Sequence, residues 1–122
     1  MDKQHSPGFE ALVDEARRNI HEIEAAELPA HLAQRPEAVV IDVREESEYA
    51  AGHFTGAEHI GKGVIERDIE IRHPDTDQPL YLYCGGGYRS ALAADALQRM
   101  GYRNVVSVNG GWRALSELQA DA

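Results

Sequence analysis

The sequence lacks the features that mark secreted, disulfide-linked and membrane-spanning proteins. Among its 122 residues there is a single cysteine, Cys84, so no internal disulfide can form. No apolar run reaches the length of a membrane span. The first residues have neither the basic nor the apolar segment of a secretory signal. We therefore expect a cytoplasmic protein with no membrane partner.

Basic residues are scarce as well. The chain has 12 Lys and Arg against 21 Asp and Glu, which gives a formal net charge of −9. Nucleic acids and anionic membranes are bound by basic surfaces, so we expect no nucleic-acid partner. An anionic small molecule remains compatible with this balance, because one site can be locally positive on an acidic protein.

Metal-ligand patterns are also missing from the sequence. His53, His59 and His73 are not spaced as ligands on one helix face, and no second cysteine could complete a zinc site. We expect neither a metal nor another cofactor.

The residues that are present indicate one α/β domain. Apolar residues make up 43% of the chain, enough for one core. Short apolar runs alternate with segments of helical periodicity, the pattern of βαβ units around a mainly parallel sheet. Strands are predicted over residues 20–23, 38–42, 57–60, 80–83 and 104–108. Helices are predicted over residues 9–19, 24–34, 45–51, 62–72, 90–100 and 110–118.

Cys84 lies where a parallel α/β sheet places its ligands, between the carboxyl end of a strand and the start of a helix. The first N–H groups of a helix bind anions, so a cysteine at this position is favoured as the thiolate. The glycines at 85–87 allow the backbone to curl its N–H groups around the sulfur. Arg89 adds a permanent cation, and Ser90 is predicted to cap the helix.

An inert, buried cysteine followed by a flexible glycine turn is the alternative interpretation of this segment. The position between strand and helix, with an arginine closing the turn, favours a functional cysteine.

The segment 84–89 resembles the active loop of rhodanese domains. Residues 40–45, 52–60, 101–105 and 108–113 are similar, in the same order, to other segments of that family. The resemblance covers roughly residues 20–118. It implies a rhodanese-like three-layer sandwich, with a five-stranded, mainly parallel sheet flanked by helices. The resemblance implies a rhodanese-like domain over residues 20–120. The helical spacing of the apolar residues before it predicts an N-terminal helical extension over residues 1–19, outside the resemblance.

The resemblance implies a single-domain thiosulfate sulfurtransferase. The Cys84 thiolate would take the outer sulfur of a donor such as thiosulfate, hold it as a persulfide, and pass it to cyanide, a small thiol or a protein thiol. Asp42 and Trp112 would support the site, and Arg89 would hold the donor or only shape the loop. The substrate-binding residues implied are Gly85, Gly86, Gly87, Tyr88, Arg89, Ser90 and Arg44.

Two other functions compete with sulfur transfer. Cysteine-dependent phosphatases of the same fold have a longer loop between cysteine and arginine than the four residues found here. Non-catalytic modules of the family often lack the cysteine, which this chain retains. The glycines after Cys84 depart from the basic residues of thiosulfate-preferring two-domain members, which weakens the case for thiosulfate as the physiological donor. The sequence predicts no oligomeric state.

Overall fold

The computed structural model describes residues 5–120, within which strands and helices alternate along the chain. A 3-10 turn over Ala25–Glu27 joins the first strand to the second helix. The strands are β1 (His21–Glu24), β2 (Val39–Asp42), β3 (Glu58–His59), β4 (Leu80–Tyr83) and β5 (Val105–Asn109). The helices are α1 (Pro7–Arg17), α2 (Leu28–Gln34), α3 (Glu46–Ala51), α4 (Ile65–Arg72), α5 (Tyr88–Arg99) and α6 (Gly111–Ala120).

The five strands form one sheet in the order β1-β5-β4-β2-β3, and every neighbouring pair is parallel. The central strand β4 places Leu82 beside Ile41 of β2 and beside Ser107 of β5. Because the strands run in the same direction, their carboxyl ends meet at one edge, where Cys84 follows β4. No helix within residues 5–120 combines the length and the apolar character needed to cross a bilayer.

The sheet separates two apolar layers, and β4 contributes to both. Leu80 and Leu82 pack on one side with residues of α4 and α5, whereas Tyr81 and Tyr83 pack on the other side with residues of α2 and α6. All four side chains of β4 are fully buried, as expected for a central parallel strand covered on both faces. The predicted three-layer α/β fold with a five-stranded parallel sheet is confirmed.

Two local predictions differ from the structure. Helix α5 begins at Tyr88, and its N-cap is Gly87 with φ 114°, so the prediction of Ser90 as the cap is wrong. The glycine adopts a left-handed conformation that lets the helix start earlier, and the Ser90 hydroxyl points into the protein instead. The predicted helix over 24–34 is divided into the 3-10 turn and α2, with Pro29 in the first turn, where its missing N–H is not needed.

Candidate active site

The sulfur of Cys84 lies at the N-terminus of α5 and receives backbone N–H groups. The N–H of Gly87 is 3.1 Å from Sγ and the N–H of Ser90 is 3.4 Å from it. Cys84 itself is only 1% exposed. N–H groups at a helix start, aligned with the helix dipole, donate hydrogen bonds to anions, so a negatively charged group can be bound at this position. We call residues 84–90 the active-site loop.

The N-terminus of α6 holds the active-site loop from the opposite side. The N–H of Trp112 donates to the Cys84 carbonyl at 2.7 Å, and the N–H of Arg113 donates to the Gly85 carbonyl at 3.1 Å. The N–H of Gly110 reaches the Gly86 carbonyl at 3.3 Å. Because these carbonyls are bound to α6, the later N–H groups of the loop are left to face the sulfur.

Gly111 makes this close approach of α6 and the loop feasible. Its φ is +50°, and a Cβ there would overlap the Cys84 carbonyl oxygen and lie 2.9 Å from the Gly85 carbonyl oxygen. Any other residue would force the two segments apart. The resemblance includes residues 108–113 but does not predict this contact. The signal for it in the sequence is the pair of glycines before Trp112.

Arg89 is paired with a carboxylate that sequence reasoning missed. Its two terminal nitrogens donate to Glu48 of α3 at 2.9 and 3.2 Å. The hydrogen bond from Arg89 holds the pKa of Glu48 at about 2, well below its ordinary value of 4.5. The hydrogen bond to Glu48 is also the main cause of the raised pKa of Arg89, and the nearby Cys84 adds to it. Arg89 therefore keeps its charge beside the sulfur while Glu48 fixes its orientation.

The buried Asp42 and Arg44 and the partly buried Trp112 form a support behind the loop. The Arg44 guanidinium donates to both carboxylate oxygens of Asp42, from Nε to Oδ1 at 3.0 Å and from Nη2 to Oδ2 at 2.7 Å. Its Nη2 also donates to the Gly52 carbonyl at 2.7 Å. It lies 5.4 Å from the Trp112 ring. Burial opposes the charge of Arg44, but the hydrogen bonds and charge of Asp42 outweigh it and raise the pKa.

Arg44, like the buried Gly87 and Ser90, therefore differs from the implied substrate-binding residues that line the pocket, which are Gly85, Gly86, Tyr88 and Arg89. Arg44 is 4% exposed, and its side chain folds back to Asp42, two residues earlier, instead of lining the pocket in front of Cys84.

Ser107, also missed from the sequence, completes a row of polar atoms beneath Cys84. The Ser90 Oγ lies 3.6 Å from the Cys84 sulfur and 2.8 Å from the Ser107 Oγ. Both serines are fully buried. A thiolate accepts hydrogen bonds, so Ser107 can direct the Ser90 hydroxyl proton toward the sulfur. The signal in the sequence is a serine within an otherwise apolar strand, since buried polar residues require a partner.

A pocket of about 580 Å³ opens in front of Cys84. The active-site loop, Glu48 and Arg113 form one part of it. Phe9 of α1 and His5, which lies just before that helix, form another part, and sequence reasoning had not connected them with the site. The structure thus brings Cys84, Gly85, Gly86, Tyr88 and Arg89 together at the pocket.

Comparison with protein families identifies the domain. The model of the rhodanese-like domain matches residues 24–118, most of the chain. The chain belongs to the rhodanese-like family. Helix α1 lies outside the matched residues.

Relatives within this family carry different names. Over 87 residues the chain is 44% identical to a thiosulfate sulfurtransferase GlpE of Pseudomonas entomophila, covering 68% of this chain and 78% of that one. It is 34% identical to a tRNA uridine(34) hydroxylase of Sodalis glossinidius, covering 75% of this chain but only 27% of that protein.

A solved structure resembles the whole chain, including α1. RPA3614 of Rhodopseudomonas palustris superimposes with a TM-score of 0.82 at 29% identity, covering 98% of this chain and 96% of that one. That protein is described as one of unknown function and a possible tyrosine phosphatase. The rhodanese-like fold is therefore shared by proteins to which different chemistries have been ascribed.

Proposed function

We propose that this protein is a sulfurtransferase that moves a sulfane sulfur from an anionic donor, such as thiosulfate, to a thiol or cyanide through a persulfide on Cys84. The observation that carries the proposal is the pair of N–H groups, from Gly87 and Ser90, that point at the buried sulfur from the start of α5. Membership of the rhodanese-like family and the similarity to a thiosulfate sulfurtransferase support it.

In the first half of the reaction, the Cys84 thiolate attacks the outer sulfur of thiosulfate. A new S–S bond forms on Cys84, the S–S bond of the donor breaks, and sulfite leaves with the electron pair. The negative charge moves outward to the terminal sulfur of the persulfide. We expect Arg89 and the N–H groups of the loop to stabilise that charge as donors held in place before the reaction.

In the second half, an acceptor thiolate or cyanide attacks the terminal sulfur of the persulfide. The S–S bond on Cys84 breaks, and the cysteine leaves as a thiolate. With cyanide the product is thiocyanate. The N–H groups of Gly87 and Ser90 then stabilise the departing thiolate, so one set of donors serves both half-reactions.

The redox requirement of this chemistry bears on where the protein works. Sulfur transfer requires a reduced Cys84 and, where the acceptor is a thiol of a small molecule or a protein, a reduced acceptor as well. Such thiols persist in the reducing cytoplasm, which is where we place the protein.

Phosphate-ester hydrolysis is the competing function, suggested by the description of the RPA3614 structure. The length of the loop opposes it. Only four residues separate Cys84 from Arg89, and so short a loop suits a sulfur atom better than a tetrahedral phosphate.

The test measures both activities on the same protein. Thiocyanate formation from thiosulfate and cyanide is followed beside hydrolysis of an aryl phosphate, using the native protein, Cys84→Ser and the control Ser116→Ala. We expect the native protein and the control to form thiocyanate and Cys84→Ser to form none. Transfer by Cys84→Ser, or phosphate release in place of thiocyanate, would contradict the proposal.

A further inference from the structure

Helix α1 lies outside the residues that match the family, yet it is attached to the active-site loop. Its buried side chains, Val13 and Ala16, anchor it against α5. At its C-terminal end, Arg17 donates to the Gly87 carbonyl at 3.4 Å, and its guanidinium lies 4.9 Å from the centre of the Tyr88 ring. The helix is therefore held in a defined position over the loop.

Phe9 of α1, together with His5 just before that helix and Tyr88 of the loop, builds an aromatic surface on the pocket. The Phe9 ring stacks on the Tyr88 ring at 5.8 Å and 15°, and the His5 ring lies 4.3 Å from Tyr88. His5 and Phe9 are themselves 5.2 Å apart. All three residues line the pocket that contains Cys84. We call His5, Phe9 and Tyr88 the aromatic wall.

The pocket has two chemically different parts. Cys84 and Arg89 lie on the loop side and suit a negatively charged sulfur group, with the exposed Arg113 adding a second cation. The aromatic wall offers ring faces that suit an apolar or aromatic group. At about 580 Å³, the pocket falls in the range of roughly 300–1,000 Å³ that holds organic ligands, and an inorganic donor fills only its loop side.

We propose that the aromatic wall is a specificity subsite for the organic group of a sulfane-sulfur donor, an apolar or aryl group attached to a thiosulfonate-type anion. The inference rests on the sulfurtransferase function proposed above. The organic group lies against Phe9 and His5, and the charged sulfur end points at the active-site loop.

The chemical step balances without an added oxidant. The Cys84 thiolate attacks the terminal sulfur of an aryl thiosulfonate, and an S–S bond forms on the cysteine. The S–S bond of the donor breaks, and the aryl sulfinate leaves with the electron pair. One thiolate and one donor anion become one persulfide anion and one sulfinate anion.

The experiment compares two donors that differ only in the group beyond the reacting sulfur. kcat/KM is measured with benzenethiosulfonate and with thiosulfate, using cyanide as acceptor, for the native protein, Phe9→Ala and His5→Ala. We expect each variant to lower the ratio of the two kcat/KM values, benzenethiosulfonate over thiosulfate, by about fivefold. Leu12→Ala is the control, because Leu12 is on the same helix and is 59% exposed. An unchanged ratio in Phe9→Ala overturns the inference.

A binding measurement separates this inference from the proposed function. Calorimetry with benzenesulfonate, an unreactive analogue, is carried out on Cys84→Ser with and without Phe9→Ala, after thermal unfolding has shown that both are folded. We expect Phe9→Ala to weaken binding by about fivefold. If the native protein forms no thiocyanate, the sulfurtransferase function is contradicted. If benzenesulfonate does not bind, or binds equally well with and without Phe9→Ala, the subsite is overturned.

Discussion

The active-site loop and the aromatic wall face the same pocket but are held in different ways. The loop is fixed by backbone hydrogen bonds from the start of α6 and by glycines in left-handed conformations. The wall consists of the Phe9 ring of α1 stacked on Tyr88 and the His5 ring, just before α1, tilted against Tyr88. The proposed chemistry thus depends on backbone geometry, which few substitutions preserve, whereas the proposed donor selectivity depends on side chains that can change while the fold remains.

The strongest test of this contrast is Gly111→Ala. A Cβ at Gly111 would meet the carbonyls of Cys84 and Gly85, whereas a Cβ at Gly56, with φ +88°, would meet nothing within 4 Å. We expect Gly111→Ala to destabilise the fold by about 3 kcal/mol, combining overpacking with left-handed strain, and Gly56→Ala by only about 1 kcal/mol. Urea unfolding followed by Trp112 fluorescence measures both. Equal losses in the two variants would show that the approach of α6 does not constrain the loop.

Substitution of Arg89 tests whether a side chain of the loop affects the rate of sulfur loading as strongly as the loop backbone does. We expect Arg89→Ala to slow persulfide formation by about 10- to 100-fold, since hydrogen bonds to charged groups are worth roughly 1.5–3 kcal/mol. Arg89→Lys keeps the charge but loses the planar fork that binds Glu48, so it should recover only part of the rate. Single-turnover loading with thiosulfate is the measurement. Loading at the native rate in both variants would leave Arg89 without a role in the reaction.

Substitution of Ser107 tests a smaller effect on the reactivity of Cys84, which acts through the Ser90 hydroxyl. Ser107→Ala removes the partner that orients the Ser90 hydroxyl, and we expect loading to slow about fivefold, the worth of roughly one hydrogen bond. Alkylation of Cys84 by a neutral reagent at neutral pH should slow in parallel. The control is Ser116→Ala, whose hydroxyl bonds to the Arg113 carbonyl in α6 instead. If the two variants behave alike, the row of serines does not act on the sulfur.

The Arg89–Glu48 pair gives the smallest expected effect, a dependence of stability on pH. The pKa of Glu48 is lowered from 4.5 to about 2, chiefly by Arg89. A lowered carboxyl pKa stabilises the fold above the ordinary value, and the contribution disappears as the pH falls through about 2.

The difference in unfolding free energy between the native protein and Glu48→Gln should therefore be constant above pH 4.5 and shrink from there toward about pH 2. Urea unfolding at a series of pH values measures it. Glu46→Gln, an exposed residue of the same helix, is the control and should show no such change. A difference that grows on acidification would contradict the assigned role of Arg89.

The sequence allowed the sheet and the position of Cys84 to be predicted, because both depend on local patterns. Four-residue apolar runs such as Leu80–Tyr83 are typical of central parallel strands, and a cysteine between a strand and a helix start must lie at their carboxyl edge. The start of α5 was misplaced because a glycine triplet does not show which member takes the left-handed conformation. The structure assigns it to Gly87.

The contacts that were missed join residues far apart in the chain. Glu48 and Arg89 are separated by 41 positions, and Glu48 by itself looks like an ordinary surface charge in the sequence. Phe9 fits the apolar side of an amphipathic helix, and nothing local indicates that it stacks on Tyr88. Side-chain pairs between helices depend on how those helices pack, which periodicity does not specify.

The central claim is that Cys84 carries sulfur as a persulfide, and intact mass spectrometry tests it most directly. The native protein and Cys84→Ser are incubated with thiosulfate, freed of excess donor, and weighed before and after addition of cyanide. We predict that the native protein gains the mass of one sulfur atom, that cyanide removes it, and that Cys84→Ser gains nothing. A native protein that never gains this mass, or a Cys84→Ser variant that does, would contradict the account.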